Sequence, residues 1–321
     1  MAKRRYLGLS LPVLVGFLLL FLALFAVGFA GGPLGKSMFG DLGLPGWLSV
    51  PQPHPELPAE VVFHLFGFPI TNSVVAAWIT IIFLVGFSYA VTRKMKLIPN
   101  RLQAALELLL GWLYDFCQSV AGEKNGRLFF PVVATIFLFV AFNAWLGLLP
   151  GFGSITVHTA HGEAHLLRPA NTDINMPLAL ALTSFVFVLY FGLKALKFNY
   201  LVQYFNVVPL AKGLVQLFKG KVGAGLSGMF LGVIHLFVSV LELLSMFIRI
   251  VSFTFRLFGV STAGEILLLV GIFLSIRVLT EFFYGLELLF GFVQALIFGG
   301  LTLIFLTLAT AAHGSHEAEE A

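Results

Sequence analysis

The sequence is poor in charged residues and in cysteine. Only 11% of its 321 residues are charged, and 59% are hydrophobic, whereas soluble domains have about 25% charged and roughly 45–50% apolar residues. A water-soluble fold is therefore excluded. Cys117 is the only cysteine, which excludes an internal disulfide and any cysteine-rich metal or redox cluster.

Motifs that carry enzyme chemistry are also missing. The chain has no Gly-x-x-x-x-Gly-Lys-Ser/Thr loop for a nucleotide, no His-Glu-x-x-His pair and no Gly-x-Ser-x-Gly elbow. The alternative function is a secondary ion-coupled transporter. It would predict paired halves of the chain with interrupted helices in matching positions, and the sequence shows none. We therefore expect a non-catalytic protein with no cofactor and no metal. The net charge of +4 comes from basic residues at the ends of apolar runs, so we expect no nucleic-acid partner.

Long apolar runs are abundant instead. About 20 apolar residues suffice for a helix to cross the hydrocarbon core of a bilayer, and backbone groups there must be paired within helices. The pattern predicts an all-α polytopic membrane protein with about five to six membrane helices. The apolar runs occupy about 7–30, 72–92, 129–149, 174–196, 226–275 and 278–312.

The connections between these runs alternate in basicity. Connections rich in Lys and Arg are typical of the cytoplasmic side, so the remaining ones are expected outside and the tail 313–321 inside. The segments 31–71 and 150–173 contain only Lys36 and Arg168 as basic residues. The basic set comprises Lys3, Arg4, Arg5, Arg93, Lys94, Lys96, Arg101, Lys194, Lys197, Lys212, Lys219 and Lys221.

Three regions follow from this pattern. Residues 1–30 are predicted to be an N-terminal membrane helix or a signal anchor, because their Lys/Arg start and small residues also fit a signal peptide. Residues 31–71 are predicted to be an external Pro/Gly-rich loop, in which the segment 31–60 is expected to have no regular structure. Residues 72–321 form the main membrane domain, in which 98–122 is read as an amphipathic helix on the cytoplasmic side.

The run 226–275 is too long for an upright crossing. As one helix it would extend about 75 Å at about 1.5 Å per residue, against a core of about 30 Å. It must tilt steeply, lie along the membrane, or form a hairpin near 259–264, and periodicity leaves these alternatives open.

Polar residues form a stripe within this run. His235, Glu242, Arg249 and Arg256 recur every seven positions, a step that rotates a helix by only about 20°. Ser245 and Ser252 fall on the same face, whereas Glu265 points roughly the other way. One interpretation is an ion-paired stripe that joins this helix to a neighbour. Since a buried charge costs at least about 2.5–3.5 kcal/mol, we favour an ion path.

The last run repeats the spacing. Thr280, Glu287 and Gln294 lie at seven-residue steps and share one face, whereas Glu281 is expected near the membrane surface, paired with Arg277. Its glycines permit close approach of a second backbone, either a packed helix or a moving partner. These glycines are Gly285, Gly291, Gly299 and Gly300.

Several motifs in this order resemble the a subunit of F-type ATP synthases, and the resemblance covers most of the chain. The two strongest segments are Val251-Ser-Phe-Thr-Phe-Arg-Leu-Phe-Gly259, followed by Ala263-Gly-Glu265, and Gly291-Phe-Val-Gln-Ala-Leu-Ile-Phe298. Upstream, the matching segments are Pro99-Asn100-Arg101-Leu102-Gln103, Asn143 before Leu148-Leu149-Pro150, and Arg168-Pro-Ala-Asn-Thr-Asp-Ile-Asn-Met-Pro177.

The resemblance implies that the last two helices are long, strongly tilted and wrapped around a rotating c-ring of proteolipid subunits. It further implies b-type peripheral stalk subunits as partners, a bacterial inner (plasma) membrane and a cytoplasmic C-terminus. The function implied is translocation of an ion, taken as the proton, through two half-channels that couple ion flow to rotation and ATP synthesis. ATP chemistry would occur on other subunits.

The resemblance also implies roles for individual residues. Arg256 matches the essential arginine, Glu265 and Glu287 match polar groups of an aqueous half-channel, and Gln294 matches the amide that faces Arg256. Further channel positions are Glu242, Ser252, Arg249, His235, Asn143, Asp173 and Asn175, with capping of the helix that follows as an equal account of the last two. The chain departs from the family at Val260, where Asn is usual, and in having Glu at both half-channel positions, which suggests two coupled carboxylates.

One loop invites a metal interpretation. His158, His161, Glu163 and His165 lie close together in sequence, at a spacing that suits zinc or proton collection. Because no helix is expected to fix these side chains as ligands, we predict a solvated loop and no metal.

Overall fold

The computed structural model describes seven α-helices and six strands within residues 5–6, 9–40, 58–93, 95–149, 151–152, 155–159, 162–197, 200, 211, 214–215, 217, 219, 222–274 and 277–311. The helices are α1 Leu11–Gly31, α2 Pro33–Phe39, α3 Asn72–Thr92, α4 Arg101–Gly147, α5 Asn175–Leu196, α6 Val222–Phe273 and α7 Arg277–Ala311. The strands are β1 Arg5–Tyr6, β2 Leu9–Ser10, β3 Val61–Leu65, β4 Phe68–Thr71, β5 Thr156–Thr159 and β6 Gly162–His165, and a 3-10 helix spans Ala170–Thr172. The predicted loop 41–57, much of the basic connection 198–221 and the tail 312–321 lie outside the described residues.

The helices confirm the predicted fold class. Within the described ranges, five helices (α3 to α7) are long and apolar enough to cross a membrane. A sixth span results if α1 and α2, which bend by 76° at their junction, count as one. The chain is an all-α polytopic membrane protein whose described strands form three two-stranded sheets, one before α1 and two between helices.

A sharp turn divides α4 at Gly122. This residue has φ 78° and ψ 166°, a backbone conformation that glycine adopts without a side-chain clash. Across the turn, Tyr114 meets Phe130 edge to face at 5.2 Å. A methyl group at Gly126 would lie 2.8 Å from the carbonyl oxygen of Cys117. The turn therefore separates the predicted amphipathic helix from the apolar run that follows it.

The long run near the C-terminus is one unbroken helix. α6 has 52 residues, which corresponds to a length of about 78 Å at about 1.5 Å per residue. No hairpin occurs near 259–264, because helical structure continues through these residues. This excludes the hairpin, one of the three alternatives that periodicity left open. A helix this long must tilt or lie partly along a bilayer of ordinary thickness.

α6 and α7 form an antiparallel pair. Phe253 and Phe298 meet with ring centroids 4.8 Å apart, and a methyl group on Gly271 would lie 3.3 Å from Thr280 Oγ1. Residues later in α6 therefore lie beside residues earlier in α7. α7 packs on α4 and α5, and α6 packs on α5. The buried residues Val140, Ala181, Leu257 and Ala295 belong to one core that all four helices share.

Glycines on α7 allow α4 to approach. A methyl group on Gly291 would meet Ala144 Cβ at 2.9 Å, and one on Gly299 would meet Val133 at 3.5 Å. At Gly300 the neighbour is Phe116 at 3.6 Å, whereas nothing lies within 4 Å of the corresponding position on Gly285. Three of the four glycines thus serve packing of helix on helix, which was one of the two predicted uses.

The segment 31–60, predicted to lack regular structure, contains α2, so this part of the prediction is wrong. The hairpins in 61–71 and 150–173 were not predicted. The segment 31–71 includes α2 and the antiparallel pair β3–β4, and 150–173 includes the pair β5–β6. The backbone N–H of His165 donates to Glu60 Oε2 at 2.8 Å, so the hairpins support each other. Short strands lacked a signal because Pro and Gly punctuate both segments and pairing between hairpins is a tertiary effect.

Candidate functional site

The polar stripe of α6 lies on a face that the rest of the chain leaves open. Leu257 and Phe253 are buried at 1% and 6% exposure, whereas Arg256 and Ser252, each one position before them, are exposed. Within the described ranges, the Arg256 guanidinium has neither a hydrogen bond nor an ion pair. A cation in the middle of an apolar helix therefore faces outward, and no described residue of the chain pairs with it.

Glu265 lies on the other side of α6 and is paired. Its Oε2 accepts from Arg168 Nη2 at 3.0 Å. Arg168 Nη1 donates to the carbonyl oxygen of Pro58 at 3.2 Å. The side chains are 10% and 27% exposed respectively, so this ion pair is largely removed from solvent. It joins the segment that follows β6 to the long helix.

The 3-10 helix after Arg168 brings more polar groups to the same end. Asp173 is 7% exposed; its Oδ2 accepts from Ser73 Oγ at 2.7 Å. Its Oδ1 accepts from the backbone N–H and from Nδ2 of Asn175, the first residue of α5, as a helix-capping group does. The side-chain amides of Asn72 and Asn171 are buried beside this segment, and neither has a hydrogen-bond partner among the residues that the structure describes. We call Arg168, Glu265, Asp173, Asn72 and Asn171 the hairpin-end cluster.

Glu287, on α7, lies beside the part of α6 that contains Glu265. Its carboxylate lies against Gly264, the residue that precedes Glu265 on α6. Thr280 and Gln294, seven residues to either side, are 7% and 6% exposed, so the predicted face of α7 points into the protein. Gln294 Nε2 is buried and has no hydrogen-bond partner within the described ranges.

Gly264 provides a direct test of this contact. Gly264→Ala places a methyl group where the Glu287 carboxylate lies, and the side chain can swing away because its end is flexible. Because the resemblance to the a subunit of F-type ATP synthases implies that Glu287 serves a proton half-channel, we expect an assembled complex whose proton pumping falls by up to about 10²-fold, the effect of displacing a working group by about 1 Å. The measurement is ATP-driven acidification of inverted vesicles, with assembly checked by immunoblotting.

Gly285→Ala is the matched control for Gly264→Ala. Nothing lies within 4 Å of the added methyl group, and the change in helix propensity is the same. Equal pumping by both variants would contradict the importance of the Gly264 contact.

A second polar region lies towards the other end of α6. A cavity of about 120 Å³ is lined by Glu242, Arg249, Ser184 and Tyr200, among others. The Arg249 guanidinium lies over the Phe305 ring, 4.6 Å from its centroid. We call this space the Glu242 cavity. His235 is exposed two turns before Glu242, which places it outside the cavity.

Asn143 completes the set of predicted positions. It is 2% exposed on α4, and neither its Oδ1 nor its Nδ2 has a hydrogen-bond partner in the described part of the chain. The next two residues contact α7: Ala144 packs on Gly291, and Trp145 Nε1 donates to the carbonyl oxygen of Leu288 at 3.0 Å. An unpaired buried amide is costly in an apolar core, so a site that admits water accounts best for it.

The structure thus divides the predicted residues into separate groups. Glu265, Asp173 and Asn175 lie at the hairpin end, joined by Glu287 from α7. Glu242 and Arg249 lie at the Glu242 cavity, and Arg256 and Ser252 lie between the two regions on the open face.

Sequence reasoning missed the partners that organise these groups. Arg168 stood out as an isolated basic residue and as the start of a segment that matches the family, but nothing in the sequence paired it with Glu265, 97 positions away. Ser73 and Ser184 gave no signal; Ser184 Oγ shares a hydrogen bond of 2.8 Å with Thr302 Oγ1 in the core.

The histidine-containing loop is the hairpin β5–β6. His158 lies opposite Glu163 in register, the His165 side chain is exposed, and His161 lies outside the described residues. Among the residues that the structure describes, no three His, Cys, Asp or Glu side chains come together as a metal site.

Fold and site together define a multi-pass helical membrane protein with carboxylate, guanidinium and amide groups set inside its membrane helices. Comparison with known proteins specifies the family. Residues 74–307 match the family described as ATP synthase A chain, and the chain belongs to this family.

Individual relatives agree with this assignment. The chain is 32% identical over 245 residues to ATP synthase subunit a of Gloeobacter violaceus, covering 76% of this chain and 86% of the relative. Subunit a of Moorella thermoacetica is 31% identical over 153 residues, which is 47% of this chain and 62% of the relative. Subunit a of Desulfosudis oleivorans is 31% identical over 145 residues, covering 44% and 56%.

Proposed function

We propose that this chain conducts protons through two half-channels at its interface with a ring of c subunits in an F-type ATP synthase. Proton flow through the chain turns the ring, and ATP chemistry occurs on other subunits. Family membership supports the assembly, and the arrangement of charges on α6 supports the path.

The observation that carries the proposal is the open, unpaired cation at Arg256. An uncompensated charge inside a membrane helix is expensive, and the chain itself supplies no anion within the described residues. The exposed surface beside it is apolar, and the neighbouring Phe255 is 57% exposed. A partner whose surface is apolar, apart from a carboxylate at this level, fits both features, and a proteolipid ring has that chemistry.

Two polar regions flank Arg256 along the helix. Nine residues separate it from Glu265 and 14 from Glu242, so the rise along the helix axis is about 13 Å and about 21 Å. Together these distances are comparable to a hydrocarbon core of about 30 Å. We assign the hairpin-end cluster, with Glu287, to the external half-channel and the Glu242 cavity to the cytoplasmic one.

The Arg256 guanidinium explains why the two half-channels do not join into one continuous pore. A ring carboxylate is neutral in lipid and is charged only where it meets water or a fixed cation. Arg256 supplies the fixed cation, since a guanidinium stays protonated in proteins. A carboxylate that arrives at Arg256 releases its proton to one half-channel and takes up another from the second. The driving force is about 2.3 kcal/mol per charge per 100 mV.

The proposed placement follows from the basic connections. With the basic connections cytoplasmic, the hairpins lie outside and the C-terminus inside, and the membrane is a bacterial inner membrane. The c-ring, b-type stalk subunits and lipid are the proposed partners.

Deleting the chain tests the assignment of roles. The complex without this subunit is expected to hydrolyse ATP but not to acidify inverted vesicles, and adding back the wild-type chain restores acidification. The measurements are phosphate release and quenching of a pH-sensitive dye in the same vesicles. Full acidification without the chain, or ATP hydrolysis by the purified chain alone, would overturn the proposal.

A further inference from the structure

We infer that Arg168 is a positioning residue of the external half-channel: it holds Glu265 as a fixed, neutralised anion and so leaves Glu287 as the carboxylate that exchanges protons. This inference rests on the proposed function and assigns different tasks to two carboxylates that the sequence presents as equivalent.

The first support is the set of contacts around Arg168. Its two terminal nitrogens are used separately, Nη2 on Glu265 at 3.0 Å and Nη1 on the Pro58 carbonyl oxygen at 3.2 Å. The side chain is only 10% exposed. A guanidinium held at two points in a buried place has a set orientation, and it sets that of Glu265.

The second support is the unequal surroundings of the two carboxylates. Glu265 has a counter-cation at hydrogen-bond distance, whereas the Glu287 carboxylate has no hydrogen bond or ion pair among the described residues and rests on the bare backbone at Gly264. Gly264 and Glu265 are neighbours in sequence, so both carboxylates serve the same stretch of α6. A carboxylate held by a guanidinium is fixed in position, whereas the Glu287 carboxylate, with no such contact among the described residues, is free to move.

The third support is the way Arg168 is anchored. Pro58 precedes β3, Arg168 follows β6, and Glu60 accepts the backbone N–H of His165 at 2.8 Å. The two hairpins are thereby fixed to each other beside the ion pair. Arg168 thus fixes Glu265 on α6 relative to the two hairpins. This contact gives the hairpins a structural role beyond connecting the helices.

The test is a double-mutant cycle on the assembled complex with Arg168→Gln, Glu265→Gln and the pair of substitutions together. Arg168→Gln is expected to lower ATP-driven acidification by about tenfold or more, because it leaves the Glu265 charge buried and unpaired. Glu265→Gln is expected to be milder, because Glu287 continues to exchange protons. The double variant should match Glu265→Gln within about twofold, since the two side chains act through each other.

Arg168→Lys separates charge from geometry. An ammonium restores the ion pair but lacks the planar fork that also reaches Pro58, so we expect pumping between the wild type and Arg168→Gln. The control is Arg127→Gln, which removes an exposed arginine on α4 and should leave pumping unchanged.

Each outcome decides between the alternatives. If Arg168→Gln lowers pumping equally with and without Glu265, the inference is overturned, because Arg168 then acts elsewhere. If Arg168→Gln prevents assembly, recovery of assembly in the double variant supports the pair and continued failure overturns it. Normal pumping by Arg168→Gln, alongside loss of acidification on deletion of the whole chain, would reject this inference while the proposed function stands.

Discussion

Arg256→Ala is expected to abolish ATP-driven proton pumping while leaving the complex assembled. The side chain lies on the open face of α6 and has no ion pair or hydrogen bond among the described residues, so its removal costs the folded chain little. A ring carboxylate that meets alanine has no fixed cation to favour release of its proton. We expect a loss of at least about 10²-fold, the scale seen when one preorganised electrostatic group is removed. A passive proton leak should accompany the loss, because nothing then separates the two half-channels.

The structure offers a matched control on the same stripe. Arg249 lies two turns away, about 10.5 Å along the axis, with its guanidinium over the Phe305 ring at the Glu242 cavity. Arg249→Ala should therefore reduce pumping much less than Arg256→Ala. Arg256→Lys should rescue poorly, since a compact ammonium lacks the planar guanidinium.

Inverted vesicles provide both measurements for these variants. ATP-driven acidification reports coupled pumping, and decay of an imposed pH gradient reports the leak, with subunit assembly followed by immunoblotting. Equal losses in the two alanine variants, or normal pumping by Arg256→Ala, would show that the barrier lies at another residue.

Glu287→Gln should also reduce pumping severely, and it has the second largest expected effect. The amide fills nearly the same space against Gly264, so α6 and α7 keep their contact, but it cannot take up or release a proton. Removing a group that transfers protons typically costs about 10²-fold or more. We expect a loss of this size in ATP-driven acidification and in ATP synthesis driven by an imposed gradient.

Glu281→Gln is the control for the second experiment. Glu281 is on the same helix, six residues earlier, and its side chain is exposed, so its neutralisation should leave pumping near the wild-type level. Wild-type pumping by Glu287→Gln would remove that residue from the path, and a comparable loss at Glu281 would indicate a general effect of charge on α7.

The helical core of the fold was predictable because its signals are local. A hydrocarbon solvent forces backbone pairing into helices, so the apolar runs at 72–92 and 174–196 closely match α3 and α5. The seven-residue spacing placed Thr280, Glu287 and Gln294 on one face of α7, which the structure turns inward. Motif resemblance then supplied the family, which the match over 74–307 confirms.

The hairpins and the ion pair were beyond sequence reasoning for a different reason. Short strands such as Val61–Leu65 have propensities that depend on their neighbours, and Pro and Gly on either side argued for a loop. Arg168 and Glu265 are separated by 97 positions, and many equally basic or acidic residues were available as partners. Only the folded chain shows which of them meet.

The sequence by itself determined the membrane class, the number of spans, the family and the polar faces of α6 and α7, because composition and helical periodicity act over short distances along the chain. The tertiary structure alone decided how α6 and α7 pair, which glycines admit a neighbouring helix, and which of two glutamates has a counter-cation. Those features depend on where distant segments meet in three dimensions. Gly264 and the Glu287 carboxylate, for example, come into contact only because α6 and α7 pack in one particular register.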